Sequence, residues 1–314
     1  MKAIVTSGYG SVEMLDVAEV EKPEISDTEI LIRVRACSVN PIDWKIRSGQ
    51  IKMISGSKPP KILGGDFSGT VEAIGKEIQE FTIGDEIWGH VNALKGGAYA
   101  EYIKANVQDI CLKPRNFDFV QAAAIPLAGL TAYQSLVRLG EVKADSEVLI
   151  NGCTGGVGSV AVQVAKFLGC TVTGVCSTKN IEYAKRIGVD VIVDYKQEDV
   201  LHLNKEFDSV YDFVGNLSFP ASKCIIKESG TFVTAIPSIP RIIFGGMLNS
   251  FRSKKCKGIL VQSSSADLKT LKAMAESEAL VATVEKVFPL NQVRQAHIAS
   301  ESGRVVGKIV MSLD

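Results

Sequence analysis

Residues 147–179, EVLINGCTGGVGSVAVQVAKFLGCTVTGVCSTK, constrain the fold of this chain more than any other stretch. A short apolar run, Glu147 to Asn151, leads into a glycine cluster made of Gly152, Gly155, Gly156 and Gly158. Beyond it Val160, Val164, Phe167 and Leu168 recur at helical steps, and the β-branched run Thr171 to Val175 closes the block. A strand, turn, helix and strand of this length make one parallel βαβ unit. Glycine at the strand-to-helix turn lets backbone approach a ligand, and the helix start aims unpaired N–H groups and partial positive charge at it. A dinucleotide pyrophosphate suits such a turn, held by Gly152, Thr154, Gly155, Gly156, Val157 and Gly158. The spacing G-x-x-G-G-V-G departs from G-x-G-x-x-G, so the flanking strand and helix carry the reading.

An NAD site places Asp or Glu at the end of the second strand, where it accepts from the ribose hydroxyls. Here the stretch is Val175-Cys176-Ser177-Thr178-Lys179, with no acid. Hydroxyls and a cation suit a 2′-phosphate. Ser177 and Lys179 therefore predict NADPH rather than NADH.

A chain of 314 residues is long enough for two domains. Thirty-five cations balance thirty-five anions, so nothing favours a nucleic-acid or membrane-surface partner. The seven cysteines include no C-x-x-C pair, and their odd number speaks against a disulfide framework. A reducing cytoplasm is the expected setting. The opening MKAIVTSGYG reads as a strand without a signal-peptide core, and no apolar run reaches membrane-spanning length.

Residues 1–115 read as β-rich, with runs such as Ile30–Val34, Gly69–Ala73 and Glu86–Trp88 separated by turn residues. Recurrent corner glycines suggest a coiled, partly closed barrel. Pro41–Ser48 reads as a short helix with Asn40 as its cap. The stretches VNPIDWKIRSG (39–49), ILGGDFSGTVEAIG (62–75), FTIGDEIWG (81–89), GGAYAEY (96–102), AAAIPLAGLTAYQSL (122–136), the glycine turn and the terminal GRVVGKIVMSL (303–313) follow one another along the chain. Together they resemble the medium-chain dehydrogenase/reductases of the zinc-free quinone oxidoreductase (zeta-crystallin-like) branch. STKNIEYAK (177–185) and Asp43-Trp44-Lys45 look most similar to the chloroplast-envelope quinone oxidoreductase homologues and enone oxidoreductases.

The resemblance implies an α/β fold in two parts. A GroES-like, partly closed β-barrel catalytic domain would occupy 1–121 and resume at 263–314. A Rossmann doubly wound parallel-sheet domain would occupy 122–262. It also implies a homodimer joined through edge strands, of which Ile259–Gln262 is the expected one. Thr131 is placed near the nicotinamide carboxamide, Tyr195 near the adenosine 2′-phosphate, and Lys308 near the cofactor. The strand Ser209–Val214 should end at the ligand, giving Val214 and Gly215 as cofactor contacts. Ala235 and Ile236 should lie by the nicotinamide ribose. In 237–258, Phe244, Met247 and Leu248 are expected to face substrate.

The zinc enzymes of the superfamily carry Cys where this chain has Asn40, and Gly-His-Glu where it has Gly64-Gly65-Asp66. A catalytic zinc needs three protein ligands. His90, His202 and His297 lack partners at ligand spacing and read as surface or loop residues, so no metal is expected. Without a Lewis acid an alkoxide is hard to generate, whereas a quinone or α,β-unsaturated carbonyl accepts hydride directly. The oxygen that gains charge needs a donor, and Lys45 and Asn40 are the candidates. Tyrosine stands at the position of Lys45 in zeta-crystallin-like members. The expected activity is NADPH-dependent reduction of quinones, enones or 2-alkenals. An NADP(H)-binding sensor of the same fold with little turnover is the alternative.

Overall fold

The computed structural model describes residues 1–236, 249 and 253–313. The chain divides into two units: residues 1–127 with 263–314, and residues 128–262.

The first unit is built on mostly antiparallel strands, and the strand Tyr102–Asn106 alternates buried apolar with exposed polar residues, burying Ile103 and Ala105 and exposing Lys104 and Asn106. β1 (Lys2–Thr6) and β2 (Leu15–Glu19) form an antiparallel ribbon. β3 (Glu29–Val39) is followed by β4 (Asp66–Ile74), β5 (Glu86–His90), β6 (Tyr102–Asn106) and β7 (Ile110–Leu112). β14 (Val284–Pro289) and β15 (Lys308–Ser312) return from the C-terminal segment. The order is β14-β15-β3-β4-β5-β7, with β6 also paired to β3. β3 is long enough to take β15 and β6 at opposite ends of one edge while β4 covers the other. Its residues Ile30, Ile32, Val34 and Cys37 are consequently core, together with Phe67, Ile87, Tyr99 and Met311. The corners are tight: a Cβ on Gly96, whose φ is +67°, would run into the Ile62 carbonyl oxygen.

Pro41–Ser48 is helical, as expected, and ends at Gly49 with φ +78°. The Asp43 carboxylate accepts from the Asn40 backbone N–H at 2.8 Å, closing the first turn.

The second unit holds six parallel strands: β8 (Glu147–Asn151), β9 (Thr171–Cys176), β10 (Val191–Asp194), β11 (Phe207–Asp212), β12 (Ile226–Thr234) and β13 (Lys255–Gly258). Their order is β10-β9-β8-β11-β12-β13. The order reverses between β8 and β11, the point at which doubly wound sheets bind ligands beyond their strand ends. The helix Gly156–Phe167 covers one face and buries Val160, Ala161 and Val164. Pro126 starts a helix to Tyr133, which continues as a π-helix from Gln134 to Leu139.

Two expectations need correction. The edge strand is Lys255–Gly258, not Ile259–Gln262. Its partner β12 ends at Thr234 opposite Gly258, and among the described residues the Ile259 N–H to Thr234 carbonyl bond is all that continues the ladder beyond it. His90 and His297 are buried, while His202 is exposed. His297 meets the Tyr99 ring edge-on at 5.8 Å, and neither ring nitrogen has a hydrogen-bond partner among the described residues. Burial, helped by the Arg47 charge, depresses its pKa from 6.5 to about 3. The unfolded chain therefore takes up this proton first, and the stability it withholds is lost as pH falls from 6.5 toward 3. Urea titrations across that window should show the loss, and His297→Leu should flatten it.

Candidate active site

A polar cluster is enclosed within the first unit. Asp66, the first residue of β4, is fully buried and accepts from Ser38 Oγ at 2.8 Å, Asn40 Nδ2 at 2.8 Å, His90 Nδ1 at 2.9 Å and the Leu127 N–H at 2.8 Å. The Lys308 ammonium lies 3.6 Å from the same carboxylate and donates to Asn40 Oδ1. Burial alone would raise the Asp66 pKa, but the His90 hydrogen bond and the Lys308 charge outweigh it and hold it at about 2. Asp43 lies next in the chain of contacts and accepts from Tyr99 Oη at 3.0 Å. Its burial pushes its pKa up to about 6 against the pull of those donors.

This network spends both ends of the Asn40 amide. It fixes the residue at the head of the helix Pro41–Ser48, which carries Lys45. The Lys45 side chain is half-buried, with its ammonium 5.5 Å over the Trp44 ring. Among the described residues it makes no hydrogen bond or ion pair, and desolvation lowers its pKa below 10.5. An unpaired, partly desolvated ammonium is a strong donor to an oxygen that gains negative charge.

The second unit presents the glycine turn. Gly152 has φ +79°, a conformation that favours glycine. A Cβ on Gly158 would run into the Gly152 carbonyl oxygen and the Cys153 Cα, so the turn folds flat against its own helix. The first i→i−4 bond runs from Ser159 N–H to Gly155 O at 2.9 Å. The N–H groups of Gly156, Val157 and Gly158 therefore lack partners within the helix. A cradle of donors left without partners in their own helix fits a pyrophosphate.

Beyond β9, Ser177 is buried and Lys179 exposed. Asn180 Nδ2 donates to Thr154 Oγ1 at 3.0 Å and ties the two loops. Thr178 donates to Asp194, at the end of β10, so the intervening hydroxyl is already engaged. Tyr195 follows, 60% exposed. Across the sheet Asp212 is fully buried and accepts from the N–H groups of Val214 and Gly215 and from Asn151 Nδ2. Val214 and Ile236 are half-exposed, and Gly215 lies between them in chain order and against Ile236 in space. Ala235 is anchored through its N–H to the Asp212 carbonyl. Thr131 is buried. Phe244, Met247 and Leu248 lie outside the described residues. Asp212 and Ser38 were not singled out in the sequence, and His90 was read there as a surface or loop residue; their contribution is to hold the loops and helix named above.

An alcohol dehydrogenase GroES-like domain model matches residues 26–115, and a zinc-binding dehydrogenase model matches residues 187–311. The chain is 34% identical over 322 residues to the 2-methylene-furan-3-one reductase of Solanum lycopersicum, covering 99% of this chain and 79% of that protein. It is equally similar, over the same shares, to an NADPH-dependent alkenal/one oxidoreductase of Arabidopsis thaliana. The solved quinone oxidoreductase of Coxiella burnetii superposes with a TM-score of 0.89 at 32% identity, covering 100% of this chain and 99% of that one. The chain belongs to the medium-chain dehydrogenase/reductase superfamily.

In this superfamily zinc is implied by the name of one matched domain, so the donor set matters. Among the described residues no three of His, Cys, Asp and Glu converge as a metal site. Asn40 and Asp66 are instead joined by the chain's own cation, Lys308. An ammonium against the carboxylate and an amide already bonded at both ends do not fit a zinc ion.

Proposed function

We propose that this member of the superfamily is an NADPH-dependent, zinc-independent reductase of quinones or α,β-unsaturated carbonyls. The observation that carries this reading is Lys45: a half-buried lysine with no ionic partner among the described residues, on a helix whose first turn is anchored by a buried network. The names of the tomato, Arabidopsis and Coxiella relatives support the substrate class, and the Arabidopsis name supports NADPH.

Bound NADPH would supply hydride to the electrophilic carbon. Lys45 donates to the carbonyl oxygen as charge builds there, and its lowered pKa suits it to pass on the proton. Asn40 acts at one remove, as its amide is engaged with Asp66 and Lys308. Lys308 serves that network. The N–H groups of Gly156, Val157 and Gly158 hold the pyrophosphate, Ser177 and Lys179 the 2′-phosphate with Tyr195 beside it, and Thr131, Val214, Gly215, Ala235 and Ile236 the nicotinamide half. Phe244, Met247 and Leu248 are assigned to substrate.

Loss of NADPH absorbance with a panel of quinones, enones and 2-alkenals tests the reading; cofactor binding with no turnover on any of them rejects it. Gly158→Ala should weaken NADPH binding by about tenfold or more, because the turn must open to admit the methyl. Titration of cofactor fluorescence measures this, and an unchanged affinity would reject the pyrophosphate site. The cytoplasmic reading rests on seven cysteines that are all free. No helix among the described residues is long and apolar enough to cross a membrane. The homodimer reading rests on β13, whose outer edge has no strand partner among the described residues. Sedimentation equilibrium tests it.

A further inference from the structure

Cys153, within the glycine turn, and Cys176, the last residue of β9, converge in the second unit. The Cys153 N–H donates to the carbonyl oxygen of Val175, the residue before Cys176, at 3.1 Å. Gly174 and Cys176 stand two apart on β9 and so project to the same face of the sheet. Cys153 Sγ occupies that face: a Cβ on Gly174 would lie 2.8 Å from it. Both thiols are reduced and buried. Each also sits one residue before a group assigned above to the cofactor, Thr154 in one case and Ser177 in the other.

We propose that Cys153 and Cys176 form a redox-active thiol pair, closed to a disulfide by a hydroperoxide, that lowers affinity for the dinucleotide. The second half rests on the cofactor reading given above. The thiol of Cys153 donates to Cys176, which raises the pKa of the first sulfur and lowers that of the second. Cys176 is thus the attacking sulfur.

With hydrogen peroxide the step balances. The Cys176 sulfur attacks one peroxide oxygen, the O–O bond breaks, and the departing hydroxide leaves as water with the thiol proton. The sulfenic acid so formed is attacked by the Cys153 sulfur; the S–O bond breaks, and a second water carries off the second thiol proton. Two thiols and one peroxide give one disulfide and two waters. Burial of both sulfurs selects a small oxidant. A disulfide bond is far shorter than a thiol hydrogen bond, so closure draws the pyrophosphate turn against the end of β9. Linkage makes the effect reciprocal: bound NADPH should shift the thiol–disulfide equilibrium toward the dithiol.

The test uses the full-length protein, reduced or treated with hydrogen peroxide. Non-reducing peptide mapping should find the Cys153 and Cys176 peptides joined with loss of two hydrogens. The NADPH dissociation constant, from cofactor fluorescence, should rise about tenfold or more and recover with dithiothreitol. Cys176→Ser should keep its affinity through the treatment, while Cys224→Ser, at an exposed thiol away from the turn, should respond like wild type. No joined peptide under conditions that oxidise Cys224 overturns the pair. A joined peptide with unchanged affinity, or an equal loss in Cys176→Ser, overturns the regulation. A reduced protein that fails to bind NADPH sinks the cofactor reading and the regulation with it, while the peptide map judges the thiol pair alone.

Discussion

Asp66→Ala should destabilise the protein by about 3–5 kcal/mol, the range for removing one partner of a buried ion pair. The carboxylate accepts four hydrogen bonds and faces the Lys308 ammonium at 3.6 Å. Alanine leaves the donors of Ser38, Asn40 and His90 without their acceptor and Lys308 as an uncompensated buried charge. Urea unfolding at neutral pH measures the loss; a change below about 1 kcal/mol would mean that water or a neighbour replaces the carboxylate. Combining Asp66→Leu with Lys308→Met removes both charges and should recover much of the deficit. The pH dependence has a defined sign. The Asp66 pKa is depressed from 3.8 to about 2, so its contribution is complete above 3.8 and is lost as pH falls toward 2. The alanine variant should lack that part of the acid transition.

Lys45→Ala should lower kcat about a hundredfold, equivalent to about 3 kcal/mol, the cost of losing one well-placed donor to a developing oxyanion. KM should change little, because a donor that acts on developing charge contributes mainly in the transition state. The pH profile separates this role from simple packing. A rate that needs the protonated ammonium falls as pH rises through the Lys45 pKa, which desolvation places below the usual 10.5. That descending limb should vanish in the alanine variant. Lys45→Arg keeps a charged donor but holds its proton too tightly to transfer it. Partial rescue by arginine indicates electrostatic stabilisation, and no rescue indicates proton transfer. Turnover of Lys45→Ala within about twofold of wild type would remove Lys45 from the mechanism.

The parts of the structure that are local in sequence could be read from it. Glu147–Val175 announces β8, its helix and β9, because glycine density and a change of period from strand to helix occur within one short stretch. Pro41 and Asn40 marked a helix start for equally local reasons. The polar cluster was not legible in the same way. Asp66, His90 and Lys308 come from β4, β5 and β15, and Lys308 meets Asn40 across 268 residues. No spacing rule relates them, so His90 looked like a loop residue when it is the buried donor to Asp66. The end of β13 was misjudged because Ile259 and Leu260 have strand-like side chains, whereas the ladder is limited by where β12 stops. Alternating Lys255 and Lys257 would have been the better sign, since lysines guard exposed sheet edges.

The path of the chain through β3 and β15 bears on how the protein is made. Residues 128–262 are continuous and could complete their sheet as soon as they leave the ribosome. The first unit cannot do so: β15 pairs with β3, and Lys308 neutralises Asp66 only once residues 308–312 have been translated. Until then the N-terminal strands wait with an unbalanced carboxylate and an open hydrogen-bonding edge, the condition under which nascent chains need chaperone protection.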